Sequence, residues 1–115
     1  MSLPLRGWPR QVLAQLETLV DGAAQHAGVY NFKIGRTKDI TVRELAYGRE
    51  YEPAPSQLVA IYETDSVDHA LLVKASLIAA FKAHPKSLDE AKHAGGNVSS
   101  DYVQYGYAAL WERSI

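Results

Sequence analysis

The stretch Gly28–Tyr51, GVYNFKIGRTKDITVRELAYGREY, decides the fold of this chain. It opens with β-branched and aromatic residues that predict a strand over residues 28–35. A turn that contains Gly35 follows, and then a helical pattern that the side chain of Asp39 can cap. Gly48 is expected to end this helix, because glycine adopts left-handed backbone conformations at little cost.

Two polar residues of this helix, Arg43 and Tyr47, are four positions apart and therefore project from the same face. The strand end and the turn add Lys33, Arg36 and Thr37 to the same region. A guanidinium, a phenol and a hydroxyl that face one spot suit a phosphate group. We therefore predict that Arg43, Tyr47 and Thr37 converge on one cleft.

These residues resemble a known motif. Residues 33–37, KIGRT, followed by Arg43 and then Tyr47, are similar to the second half of the GIY-YIG nuclease motif. The resemblance covers about twenty residues strongly and extends more weakly into the next strand and helix. It implies a small three-stranded antiparallel sheet flanked by helices. It also implies an endonuclease-like chemistry, the metal-dependent hydrolysis of nucleic-acid phosphodiesters.

The resemblance also assigns roles to individual residues. Tyr30 would stand in for a family tyrosine from the same strand, unless another strand replaces the missing one. Asn97 is the candidate for a family asparagine, although the preceding glycines fit a plain turn equally well. The implied catalytic residues are Arg43, Tyr47 and Tyr30, and the implied phosphate-binding residues are Lys33, Arg36, Thr37, Lys74 and Asn97.

Lys74 is the residue at which the chain departs most from the family. A helix predicted over residues 66–83 carries an apolar stripe with Lys74 at its centre. Either the amine reaches water from the edge of the stripe, or Lys74 occupies the place of the family's metal-binding glutamate. An ammonium repels the divalent cation that a carboxylate attracts. No metal ligand is therefore predicted, Mg²⁺ is expected only if the chain is active, and Glu63 or Asp65 could supply a relocated carboxylate.

The sheet must also be completed in an unusual way. The family places a tyrosine-bearing strand just before the motif strand, but residues 8–26 predict a helix there. Two further strands are predicted over residues 58–63 and 101–111. We expect the last of these to take the vacant place beside residues 28–35. Tyr105 or Tyr107 would then present a phenol near Arg43. A short helix is predicted over Ser87–His93, with Ser87 and Glu90 as its capping box.

Composition limits the classes of protein to which the chain can belong. Its 115 residues predict a single domain, 1–115, with 47% hydrophobic and 22% charged residues. No cysteine is present, which excludes disulfides and thiolate metal sites. Neither a signal peptide nor a membrane-spanning run is recognised, so a cytoplasmic, soluble protein without a membrane partner is expected.

The charge of the chain does not by itself indicate a partner. The formal net charge is -1, but residues 33–49 contain five basic and two acidic side chains. Such a run is often no more than a solvated face.

We therefore expect an α+β domain that is GIY-YIG-like and of nuclease ancestry, binds nucleic acid, with DNA favoured over RNA, and has weakened or lost cleavage activity. The alternatives are an active metal-dependent endonuclease with a relocated carboxylate, or a non-enzymatic protein-interaction module. The oligomeric state is left open.

Overall fold

Helices and strands alternate along the chain and form an α+β fold. A computed structural model describes residues 2–89 and 103–113. The elements are α1 (Pro9–Gln25), β1 (Val29–Thr37), α2 (Ile40–Glu50), β2 (Gln57–Thr64), α3 (Val67–Phe81) and β3 (Gln104–Glu112). Within the described residues, no helix has both the length and the apolar character needed to cross a bilayer.

The C-terminal strand lies at the centre of the sheet. The strand order is β1-β3-β2, and β3 is antiparallel to both neighbours. The expected pairing of this strand with the motif strand is therefore confirmed, and β3 pairs with β2 as well. Residues 106–111 are buried without interruption, as expected of a strand covered on both faces.

The two faces of the sheet have separate cores. Helices α1 and α3 pack on one face, where α1 contributes a stripe of four buried residues at four-residue spacing: Val12, Leu16, Val20 and Ala24. On the other face, Tyr47 of α2 packs into a second cluster with Tyr107, Trp111, Leu58 and Ala109. Because α2 and α3 lie on opposite sides of one sheet, side chains from both helices can meet at an edge of that sheet.

Both outer edges of the sheet are partly covered by neighbouring segments. Leu5 pairs with the edge of β2 through hydrogen bonds to Ile61 and Glu63 of 2.8 and 2.9 Å. The segment after α3 runs beside β1 in the same way, because Phe32 N–H donates to Lys86 O and Leu88 N–H donates to Phe32 O, both at 2.9 Å. Unpaired edge groups of a sheet favour such pairing.

This edge pairing corrects the helix predicted over Ser87–His93. Ser87 forms a bridge with Phe32, and the backbone stays non-helical through Asp89. The prediction was wrong over these residues, because the open edge of β1 satisfies their backbone groups better than a short capped helix would. Residues 90–93 lie outside the described part of the chain.

Gly48 does not end the motif helix as predicted, since α2 continues to Glu50. The Tyr51 N–H donates to Tyr47 O at 3.0 Å, and the Tyr51 ring packs on Tyr47 and Trp111. These contacts outweigh the cost of a helical glycine, which is about 1 kcal/mol. In α3, the fully buried residues are Ala70, Val73, Leu77 and Ile78, so Lys74 lies beside the buried stripe and not at its centre.

Candidate functional site

A cleft of about 320 Å³ opens at the outer edge of β1. Helix α2 forms one wall and α3 forms the other, so the cleft spans both faces of the sheet. We call it the basic cleft, because four cationic side chains line it: Lys33, Arg36, Arg43 and Lys74. Asp89 is the acidic residue that lines it among the described residues.

Helix α2 is oriented by its first turn. The Asp39 carboxylate accepts a hydrogen bond from Val42 N–H at 3.1 Å, as its predicted role as N-cap requires. Arg43 and Tyr47 follow on the face that points to the sheet. Tyr47 is buried, with 1% of its surface exposed, whereas Arg43 is half-buried at the mouth of the cleft.

Two phenols and one guanidinium form a hydrogen-bonded group at the floor of the basic cleft. The hydroxyl oxygens of Tyr47 and Tyr107 are 2.8 Å apart, and Arg43 Nε donates to the Tyr107 hydroxyl at 3.2 Å. The Arg43 guanidinium carbon also lies 4.8 Å from the centre of the Tyr47 ring, a cation–π distance. Of the two tyrosines expected near Arg43, it is therefore Tyr107 that supplies the phenol.

Gly35 makes room for this group. It pairs directly with Tyr107 across β1 and β3. A Cβ atom at Gly35 would lie 2.2 Å from both Cζ and the hydroxyl oxygen of Tyr107. Only glycine therefore allows the Tyr107 ring to lie across β1 and reach Arg43. The glycine of the KIGRT segment has a steric role that the sequence pattern alone does not show.

Burial determines which protons this group can give up. Burial raises the pKa of Tyr47, and the neighbouring Tyr107 raises it further, so Tyr47 stays protonated. Burial opposes the charge of Arg43, but the hydrogen bond to Tyr107 and the electrostatic interactions with Tyr107, Tyr47 and Glu50 together outweigh it and raise the pKa of Arg43 above its ordinary value. The two phenols own two hydroxyl hydrogens, and their mutual bond uses one. The second can be donated to a ligand in the cleft.

Asp89 is held against β1 by two donors. Its carboxylate accepts from Ile34 N–H at 2.7 Å and from Lys33 Nζ at 3.3 Å, and its side chain is 2% exposed. Burial raises the pKa of Asp89, while these two hydrogen bonds act in the opposite direction. Among the described residues, one carboxylate therefore faces four cationic side chains, and their charges sum to a net positive value.

The remaining cations come from both walls. Arg36 Nη1 donates to the side-chain oxygen of Gln104 at 2.7 Å, and Gln104 is 1% exposed. Lys74 reaches the cleft from α3. Its burial, together with the charges of Arg36 and Lys33, lowers its pKa.

The structure brings together five of the residues predicted from the sequence to be catalytic or phosphate-binding. Lys33, Arg36, Arg43, Tyr47 and Lys74 all line the basic cleft. Thr37 and Tyr30 are not part of this lining.

Thr37 does not join Arg43 and Tyr47 in the cleft, so that part of the predicted convergence was wrong. Its hydroxyl bonds to the backbone of Asp39, accepting from N–H at 3.2 Å and donating to O at 3.1 Å. Thr37 thus fixes the turn before α2. Tyr30 packs, half-buried, against the aromatic cluster of Tyr107 and Trp111. Asn97 lies outside the described residues.

Two residues of the site were not found from the sequence. Tyr51 lies one turn beyond Tyr47 and lines the cleft, and the i, i+4 spacing from Tyr47 would have indicated it if α2 had been extended past Gly48. Asp89 bonds to a strand 55 positions earlier in the chain. No local pattern reports a contact of that separation.

The two carboxylates considered as relocated metal ligands lie elsewhere. Glu63 and Asp65 line a second cleft, of about 510 Å³, together with Trp8 and His69. Glu63 is paired there with Arg6. Although this cleft is larger, we regard the basic cleft as the functional candidate, because its charges converge without being cancelled.

A divalent metal ion does not fit the residues of the basic cleft. Hard cations need several oxygen ligands, and four cationic side chains would repel the ion here. In residues 2–89 and 103–113, no three His, Asp or Glu side chains are grouped closely enough to hold a metal ion. Comparison of the chain with protein-family models, curated proteins and solved structures found no match.

Proposed function

We propose that this domain binds the phosphate backbone of nucleic acid in the basic cleft and that metal-dependent cleavage is weakened or lost. The observation that carries the proposal is the convergence of four cations and a pair of phenols on one cleft, with Asp89 as the opposing acid. Clustered cations and hydroxyl donors form the usual setting for phosphate contacts.

Arg43 is the residue best placed to hold a phosphate. Its Nε is committed to Tyr107, which fixes the plane of the guanidinium. Within the described part of the chain, the polar contact of its terminal nitrogens is a long one of 3.9 Å to the exposed Glu50, and such a surface pair contributes little. A phosphate oxygen can replace Glu50 and accept from Arg43 while a second oxygen accepts from the phenol pair.

The proposed loss of cleavage follows from the charge at Lys74. If the chain descends from the nucleases that residues 33–47 resemble, the position of the metal-binding carboxylate now carries an ammonium. Phosphodiester hydrolysis then lacks the ion that neutralises the developing negative charge. Binding to the phosphate backbone of nucleic acid needs no metal ion and can use the cationic side chains of the basic cleft.

The test is the salt dependence of nucleic-acid binding, measured by fluorescence anisotropy with duplex and single-stranded DNA and with RNA. Arg43→Ala should weaken binding and reduce the slope of log K against log salt by about one unit, because one phosphate contact is lost. Arg49→Ala is the matched control. Arg49 belongs to the same helix and is exposed, and it does not line the cleft, so affinity and slope should stay close to wild type.

Two other outcomes would replace the proposal. Absence of binding to any of these nucleic acids would favour a protein-interaction module that kept only the fold. Mg²⁺-dependent cleavage by the unaltered chain, abolished in Arg43→Ala, would establish an active nuclease.

A further inference from the structure

Phosphate binding explains the position of the Lys74 amine in the basic cleft but not its lack of a paired carboxylate among the described residues. No hydrogen bond or ion pair joins it to another side chain in the described part of the chain. The nearest carboxylate, Asp89, is already engaged by Ile34 N–H and Lys33 Nζ. A lysine that served only as a counter-ion would be expected to pair with this acid.

Among the described residues, the groups around the amine come from β1, α2 and β3 and from the segment after α3. Lys33 and Arg36 face it from β1, and Arg43 faces it from α2. The phenols of Tyr47 and Tyr107 and the carboxylate of Asp89 complete the surroundings. Desolvation by burial is the largest cause that lowers the pKa of Lys74. The three neighbouring cations, set against one carboxylate among the described residues, lower it further. An amine beside other cations and partly removed from water is the usual setting of a nucleophilic lysine.

We propose that Lys74 captures aldehydes that carry a phosphate group, forming a reversible imine while the neighbouring cations hold the phosphate. The proposal rests on the proposed function for its phosphate-binding half. In the reaction, the lone pair of the neutral Nζ attacks the carbonyl carbon. The carbonyl oxygen leaves as water with the two hydrogens of the amine, and a C=N bond replaces the C=O bond. The free hydroxyl of the Tyr47–Tyr107 pair can donate a hydrogen bond to the departing oxygen and keeps its proton when the reaction is complete.

Two sources of this chemistry exist. One is an abasic position in nucleic acid, whose ring-opened sugar carries an aldehyde between two phosphates. The other is a small phosphorylated aldehyde. Borohydride reduction converts either imine into a stable secondary amine, which mass spectrometry of the digested protein assigns to an individual lysine.

The experiment uses four probes on the full chain. An oligonucleotide with one abasic position is compared with the same oligonucleotide undamaged, and glyceraldehyde 3-phosphate is compared with glyceraldehyde. We expect reduction to label Lys74 about tenfold or more above the exposed Lys38 and Lys82, because phosphate binding raises the local aldehyde concentration. The phosphate-free aldehyde should lose this preference, and Lys74→Arg should remove the adduct. The labelling rate should rise with pH and level off below the usual pKa range of lysine.

The outcomes separate the two proposals. Labelling of Lys74 by the abasic oligonucleotide supports both. Labelling by glyceraldehyde 3-phosphate alone supports capture and assigns the small-molecule source. Salt-dependent binding of the undamaged oligonucleotide without a Lys74 adduct from either aldehyde would overturn the capture proposal and leave the proposed function standing. Adducts spread evenly over Lys38, Lys74 and Lys82 would overturn it as well.

Discussion

At the scale of single residues, two positions determine the shape and charge of the basic cleft: a glycine in β1 and a lysine in α3. Gly35 lacks the Cβ that would collide with Tyr107, and Lys74 places an ammonium among three other cations. Both features oppose stability in an ordinary domain, since glycine weakens a strand and clustered like charges repel. Each of them shapes the cleft.

The first residue-scale prediction concerns Gly35→Ala. The new methyl group would force the Tyr107 ring away from β1 and out of reach of Arg43 and Tyr47, which breaks the hydrogen bonds and the packing of a ring that is only 1% exposed. We expect urea denaturation to show a loss of about 1–3 kcal/mol, as for other overpacked cores. Gly48→Ala is the control. Nothing lies within 4 Å of its Cβ position, so it should stabilise the exposed helix by about 0.5–1 kcal/mol. Equal effects of the two changes would contradict the role given to Tyr107.

The second residue-scale prediction concerns Lys74→Met, which keeps an unbranched side chain and removes the charge. Because the folded-state pKa of Lys74 is lowered, the unfolded chain binds the proton more tightly, and the charged amine destabilises the fold at neutral pH. We expect the thermal midpoint of Lys74→Met to lie a few degrees above wild type at pH 7. The gap should shrink as the pH rises from the lowered pKa towards the ordinary value. Lys82→Met, at an exposed position, should change little. A lower midpoint for Lys74→Met would show that the amine has a stabilising partner.

At the scale of elements, the sequence predicted those helix and strand features that depend on interactions between residues close together in the chain. Asp39 could be recognised as a cap because an N-cap bonds within three residues, and β3 because aromatic and β-branched residues favour strands. The helix predicted at Ser87 failed because the edge of β1, distant in sequence, competed for the same backbone groups. Asp89 could not be predicted as a site residue because its contacts are also with β1, which is distant in sequence. The pairing partner of β3 could be predicted only because too few strands remained to form a stable sheet.

The prediction at this scale concerns the cap of α2. Tyr47 is the only fully buried residue of this helix, so its first turn depends strongly on Asp39. Asp39→Ala should cost about 1 kcal/mol of stability and weaken oligonucleotide binding, because Arg43 and Tyr47 lose their fixed orientation. Asp39→Asn should restore both. Ser66→Ala removes the analogous cap of α3, where Ser66 accepts from His69 N–H at 3.2 Å. Because four buried residues anchor α3, that variant should lose stability while binding is retained. Unchanged binding in Asp39→Ala would contradict the positioning role of α2.

At the scale of the whole molecule, the net charge does not report the positive electrostatic potential of the basic cleft. The formal net charge of the chain is -1, but among the described residues four cationic side chains and one carboxylate line a single cleft. A concave, partly desolvated cluster attracts anions far more effectively than the same charges spread over a convex surface. The near-neutral total therefore does not argue against a phosphate ligand.

The last prediction tests whether β3 holds the molecule together. Strands β1 and β2 are hydrogen-bonded to β3 and not to each other, and one strand width of about 4.8 Å separates β3 from each of them. Ending the chain at residue 100 removes every strand pair of the sheet and the Tyr107 and Trp111 side chains of the aromatic cluster. We expect circular dichroism to show no cooperative thermal unfolding of that variant. Ending the chain at residue 112 keeps β3 and should leave a cooperative transition. If the shorter variant instead unfolds cooperatively with a similar dependence on urea, β1 and β2 must be able to form a stable core without the strand that now lies between them.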